Sequence, residues 1–251
     1  MIMRYLALFT LLVFATSGLQ AQTLTEKDLS SNGYGEKKFK KAPKRLYIQS
    51  FKVNFQVTAF AEASSQGGRE LGGGSYSGDT HTSMTVMVDG VDTPDFMEVT
   101  DNLYQDFLAD MTGQGFEIIT QDQVQGTEYF NEWERREGGQ INYANLPGYV
   151  QARPTGLDYY IKRETKKGKE KGNFIDKSCK LSKELDDAII CDVVFTFTFI
   201  EMKTSESGFI GFSSVKAKTN FEMEGENYVK FQYGNPAGLA AEGIFMMGLK
   251  K

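Results

Sequence analysis

Hydrophobic and polar positions divide the chain into segments of different period. Residues 46–60, LYIQSFKVNFQVTAF, start as a continuous apolar run and then alternate. Phe51, Val53, Phe55 and Val57 share one face; Lys52, Asn54, Gln56 and Thr58 share the other. That is the two-residue period of a strand with one buried side. Residues 84–88 (MTVMV) read as another strand, closed by the turn pair Asp89-Gly90. From Thr93 the period lengthens. Phe96, Val99, Leu103, Phe107 and Met111 recur every three or four residues, with Asp101, Gln105 and Asp106 facing out. Thr93 is placed to cap this helix, Pro94 suits its first turn, and Gly113 and Gly115 stop it. FEII, residues 116–119, predicts a short buried strand directly after it.

The second half is less regular until residue 191. Residues 127–136, around Trp133, are expected to be helical, as are residues 176–190 with Cys179, Leu185 and Ile189 on one face. In CDVVFTFTFIEM, Val193, Phe195, Phe197 and Phe199 alternate with Val194, Thr196, Thr198 and Ile200. The chain then turns back through SSVKAKTNFEMEG, predicting a long antiparallel hairpin with one wet face. The stretch after Pro236 suits a docked helix or an edge strand. The pattern specifies one α/β (α+β) domain over residues 46–251. Its core is a mixed, largely antiparallel sheet with two or three helices packed on one face.

Three segments stand apart. Residues 1–21 carry one charge, Arg4, then an apolar run over residues 5–15 and a small-residue end at Ala21, the parts of a secretory signal. The run is too short to span a bilayer, which takes roughly 20 apolar residues. No cysteine follows the expected cut, so no lipid anchor is expected, and the mature chain should be periplasmic or secreted with no membrane span. Residues 22–45 are polar and basic (Lys37, Lys38, Lys40, Lys41, Lys44, Arg45) and read as a flexible leader to the domain. Residues 61–83 are rich in Gly and Ser and read as a mobile loop.

Composition narrows the partners. Acidic residues exceed basic ones, 33 to 28, which argues against nucleic acid, whose phosphates require clustered cations. His81 is the sole histidine, so a two-histidine metal site is excluded and any catalytic triad would rest on one loop residue. The glycines of the 61–83 loop lack the Gly-Lys-Ser/Thr ending of a phosphate cradle. Asp89, Asp92 and Asp95 recur at three-residue intervals as a calcium candidate, but Asp95 is equally a helix N-terminal charge. No cofactor is expected. Cys179 and Cys191 permit one bridge or two separate thiols.

Aromatic residues outside the alternating strands are the remaining signal. Tyr129, Trp133, Tyr143 and Tyr149, with Phe130, Tyr159 and Tyr160, lie in the irregular middle, where they would either pack a loop-rich segment over the sheet or stack on a sugar or a partner protein. Tyr76 and His81 would join them if the Gly/Ser loop closes over a pocket. A hydrolytic site would need carboxylates such as Glu132, Glu134 and Asp158 to converge.

The order KRLYIQSFKVNF, excursion, VTDNLYQDFLADMTGQGFEIITQDQV resembles the opening unit of the curli-secretion lipoprotein family. It is also similar to the amino-terminal domain of the Tol-system translocation protein. Phe51, Leu103, Leu108, Gly115, Phe116 and Ile118 match its rhythm, and Asp192 sits at the matching helix-to-strand junction. The resemblance implies a fold, an envelope setting and a habit of binding proteins. It does not extend to channel formation, because the lipid-bearing cysteine is missing and the wet face of residues 214–222 is charged. The expectation is an exported, non-enzymatic envelope protein acting through a protein partner. The alternative is a small-molecule or glycan-binding module built on the Gly/Ser loop and the central aromatics.

Overall fold

The computed structural model describes residues 29–34, 39–65, 78–144, 146–166, 168–172, 176–207, 212–223, 227–234 and 241–247. The secretory segment 1–21 and Tyr76 lie outside them. The expected fold class is present: a mixed, mostly antiparallel sheet with three helices among the described residues.

At the centre of the sheet are β2 (Arg45–Gln56) and β12 (Ile189–Ser207), paired in parallel. Beside β2 run β5 (Glu117–Ile119), parallel, and β8 (Tyr149–Ala152), antiparallel, the latter continued by β7 (Ile141–Tyr143). On the other side β12 pairs with β14 (Tyr228–Tyr233), then β15 (Ala241–Met247) and β1 (Leu29–Tyr34), all antiparallel. The carboxyl-terminal stretch is therefore an inner strand. Part of the presumed flexible leader is the strand that covers it. Lys44 and Arg45, read as part of the same leader, are also engaged: Lys44 Nζ donates to the Gln114 carbonyl at 2.7 Å, and Arg45 lies 3.4 Å from Asp186.

Helix α1 (Thr93–Gly113) follows its predicted span, although Asp92 is the cap; its backbone N–H donates to Asp95 Oδ2 at 2.8 Å. Its apolar stripe covers one sheet face. There Phe51 meets Tyr104, Phe107 and Phe195 at ring separations of 5.3–5.9 Å, and Phe55 stacks on Phe96 and Phe197. The opposite face carries α2 (Gln121–Val124), a 3₁₀ turn (Glu128–Phe130) and α3 (Ser178–Glu184) over Tyr47 and Ile190. The helices thus divide between the two faces.

Several local expectations give way to backbone geometry. The helix expected over 127–136 is the 3₁₀ turn followed by β6 (Glu134–Arg136), because Glu132 adopts φ 69° and the chain leaves to pair with β9 (Tyr159–Ile161). The helix expected over 176–190 stops at Glu184, where Asp186 and Asp187 (φ 55° and 61°) turn the chain into β12. Residues 61–65 and 80–83, read as loop, belong to β3 (Thr58–Ser65) and β4 (Thr80–Met87), which pair antiparallel. Their hairpin packs alongside β12 and β13 (Phe212–Met223), with Thr82 Oγ1 donating to the Ser213 carbonyl at 3.3 Å.

The turn that brings β8 back to the end of β2 depends on Gly148. Its φ is +81°, its carbonyl accepts from the Val57 and Thr58 N–H groups at 2.8 and 3.0 Å, and an added Cβ would sit 2.2 Å from the Thr58 carbonyl oxygen. Gly148→Ala is expected to destabilise the protein by about 2–4 kcal/mol, read as a shifted urea midpoint, through combined backbone strain and clash.

Candidate functional site

The site begins with a change of parity in β2. Leu46 and Ile48 lie in the α1-side core, yet so do Phe51, Val53 and Phe55, so one residue is extra between the two series. The pairing shows it: Cys191 is opposite Ile48, while Asp192 is opposite Ser50, leaving Gln49 as a bulge. Bulges redirect side chains, and they concentrate near functional sites. Here the bulge places Gln49, Ser50 and Lys52 around Asp192, on the face away from α1.

Those four residues form the floor of a cleft of about 300 Å³. One wall is aromatic. Trp133 stacks on Tyr129 (centroids 5.7 Å apart), meets Phe130 edge-on, and Phe130 stacks in turn on Tyr160 at 4.2 Å. Tyr129 and Phe130 are buried while Trp133, which also lines the cleft, stays partly open. The other wall is polar. Buried Arg153 lies over the Tyr159 ring at 3.7 Å and pairs with Glu170 at 2.9 Å, and the Tyr159 hydroxyl donates to Glu170 at 2.5 Å. Burial, then this contact with Glu170, pushes the Tyr159 hydroxyl up to about 12.

Two aspartates differ sharply. Asp176, at the rim, accepts from Lys230 (2.6 Å), Gln232 (2.7 Å) and the Ser178 hydroxyl (2.7 Å). Partial burial works against ionisation there, but these donors prevail and hold the carboxyl down at about 2. Asp192, at the floor, is hemmed in by protein on most sides. Loss of water raises its carboxyl to about 6, only partly offset by the Lys52 and Lys230 charges, while Asp176 adds to the rise. Among the described residues, no hydrogen bond supports its charged form. The neighbouring Ser50 Oγ is buried and has no hydrogen-bond partner. An open carboxylate and an orphaned hydroxyl side by side are costly in a folded protein unless something else uses them.

Of the aromatic residues singled out in the sequence, Tyr129, Phe130, Trp133, Tyr159 and Tyr160 come together in this cleft; His81, Tyr143 and Tyr149 are not among its lining. His81 is exposed on β4 opposite Ser64. Tyr149 lies on β8, its hydroxyl 3.2 Å from Thr198 Oγ1. Tyr143 is on β7, with its side chain outside the described residues. Asp89 accepts from the Gly90 N–H at 2.9 Å and Asp95 serves the α1 start; among the described residues no metal-holding group of three forms. Glu132, Glu134 and Asp158 do not line the cleft, and Asp158 and Glu134 instead pair with Arg135 and Arg136.

Cys179 and Cys191 are not bridged. Cys191 points into the α1-side core with Ile189 and Val193, whereas Cys179 sits on α3 against the opposite face. The sheet separates them, and burial raises the Cys191 thiol well above its ordinary value. Unreduced, denatured protein is expected to titrate two thiols; a count of zero would contradict this placement.

The floor residues were missed in the sequence. Asp192 is the one charge in the first half of β12, between the apolar residues Cys191 and Val193, and a charge there is a readable signal for a polar site. Arg153 and Glu170, by contrast, come from segments with no period. No protein-family model, curated protein or solved structure matches this chain.

Proposed function

We propose that this is an exported, envelope-located binding protein whose cleft takes a small polar ligand. The observation that carries the reading is the opposition of a half-open aromatic wall, Trp133 on Tyr129, to the unsupported Asp192 carboxylate and Ser50 hydroxyl. Such a combination of apolar surface and a few convergent polar groups is the usual anatomy of a ligand pocket. The secretory character of residues 1–21 supports the envelope setting. Ligand would satisfy groups that folding leaves unpaired, so binding should stabilise the native state. A thermal-shift screen of polar metabolites is expected to give hits that raise the melting temperature of the wild type and not of Trp133→Ala. A screen without hits, or hits indifferent to that substitution, would refute the reading.

A second reading, contact with a protein partner, is favoured by a different observation. On the β3–β4 hairpin, Phe60 (63% exposed) and Met87 (72% exposed) lie on the same face. Exposed large apolar side chains grouped in this way mark contact surfaces. Replacing both by serine should leave the fold intact and abolish any partner recovered from envelope fractions by the wild type; recovery unchanged by the double substitution would remove this reading.

A further inference from the structure

Taking the small-ligand reading of the cleft as its basis, we infer that the ligand is a neutral, hydroxyl-rich ring of the carbohydrate class. Three features select it. Partly open Trp133 lines the wall, and the flat, apolar surface of an indole suits the C–H face of a pyranose ring, whose edge hydroxyls would then face the floor. The floor is lined by residues that carry both acceptors and donors: Asp192, Gln49 (whose Oε1 also accepts from the Ser178 hydroxyl), Ser50 and Lys52. A hydroxyl both donates and accepts, so a polyol can satisfy such a mixture.

Charged ligands fit less well. A cation would find the aromatic wall and Asp192 attractive, yet it would have to approach the Lys52 ammonium, which already acts on the same carboxylate. An anion would face Asp192 itself. The strong charges of the far side are internally matched, Arg153 with Glu170 and Asp176 with Lys230, and so do not call for a counter-charge on the ligand. The cleft volume of about 300 Å³ accommodates one sugar ring with room for a substituent or a second ring at the rim.

The protein supplies its own probe. Trp133 is the chain's one tryptophan, so fluorescence excited at the red edge, where the 12 tyrosines do not absorb, reports on the cleft wall. Titrations of the full mature chain with glucose, galactose and N-acetylglucosamine, beside choline as a cation and acetate as an anion, separate the classes. A saturable fluorescence change is expected with at least one sugar, insensitive to salt. Affinity for that sugar should fall about tenfold between pH 7.5 and pH 5, because hydroxyl donors need the ionised Asp192. Asp192→Asn should weaken it about tenfold or more, through loss of a hydrogen bond to a charged group, and Ser50→Ala should weaken it less. Both variants keep the aromatic wall, so a folded protein that no longer responds remains informative. Saturation by choline or acetate and by no sugar overturns the carbohydrate assignment while leaving the binding reading in place. Silence toward every probe overturns both.

Discussion

Replacing Phe51 by alanine is expected to cost about 3–5 kcal/mol of stability, the largest single effect on this fold. Phe51 is fully buried at the crossing of the two central strands and α1. Its ring is held by Tyr104 and Phe107 from the helix and by Phe195 from β12, so its removal opens a cavity that three elements border. Those elements are tied by the parallel β2–β12 ladder and cannot collapse far into the gap. For a marginally stable domain such a loss is a large share of the total. Urea denaturation followed by circular dichroism checks it through the midpoint. A cost below 1 kcal/mol would mean that α1 does not depend on this ring for its seat.

Asp192→Asn is expected to act in the opposite sense. The carboxyl stands at about 6 in the folded protein against an ordinary 3.8, so the native state holds the proton more tightly than the unfolded chain does. Below pH 3.8 both states are protonated and the residue is neutral in the balance. As pH rises from 3.8 to about 6 the unfolded state ionises first, and stability falls; above that the penalty is constant at roughly 2–3 kcal/mol. The asparagine variant lacks this penalty. It is expected to be more stable than the wild type at pH 7.5 by roughly 1–3 kcal/mol, with the gain vanishing near pH 3.5. The discount from the full value reflects the amide's own unmet hydrogen bonds in the cleft. Asp176 works in the other direction: its carboxyl is held at about 2, so its stabilising contribution is present at neutral pH and fades as pH falls from 3.8 through 2. Two aspartates in one cleft therefore pull the acid limb of stability in opposite senses, and only the one at the floor weakens the neutral protein. A residue that costs stability and gains no internal partner is what a binding function predicts.

Much of this was legible in the residues. The strand period of 51–57, the 3.6-residue stripe of 96–111 and the hairpin of residues 191–223 all appear where the pattern puts them, because one face of each is buried. The bulge in β2 was not legible, because the continuous run LYI does not show which face Ile48 takes; only the pairing with β12 reveals the extra residue. What pattern could not supply were events decided by tertiary pairing. Residues 29–34 carry no apolar period, and their strand exists because β15 offers an edge. The middle segment lost its expected helix once Glu132 turned left-handed and β6 found β9. The cleft is assembled from these same irregular pieces. Tyr129 and Trp133 were visible as aromatics out of place, whereas Arg153 and Glu170 pair at a separation of 17 residues that no local rule joins.

The central claim is that the opening between Trp133 and Asp192 is where this protein takes its ligand. A crystal structure with a hit from the metabolite screen tests it most directly. The ligand is expected to lie with one face against the Trp133 ring and a polar atom within hydrogen-bond distance of the Asp192 carboxylate. A stabilising hit found elsewhere, with the cleft filled only by water, would contradict it.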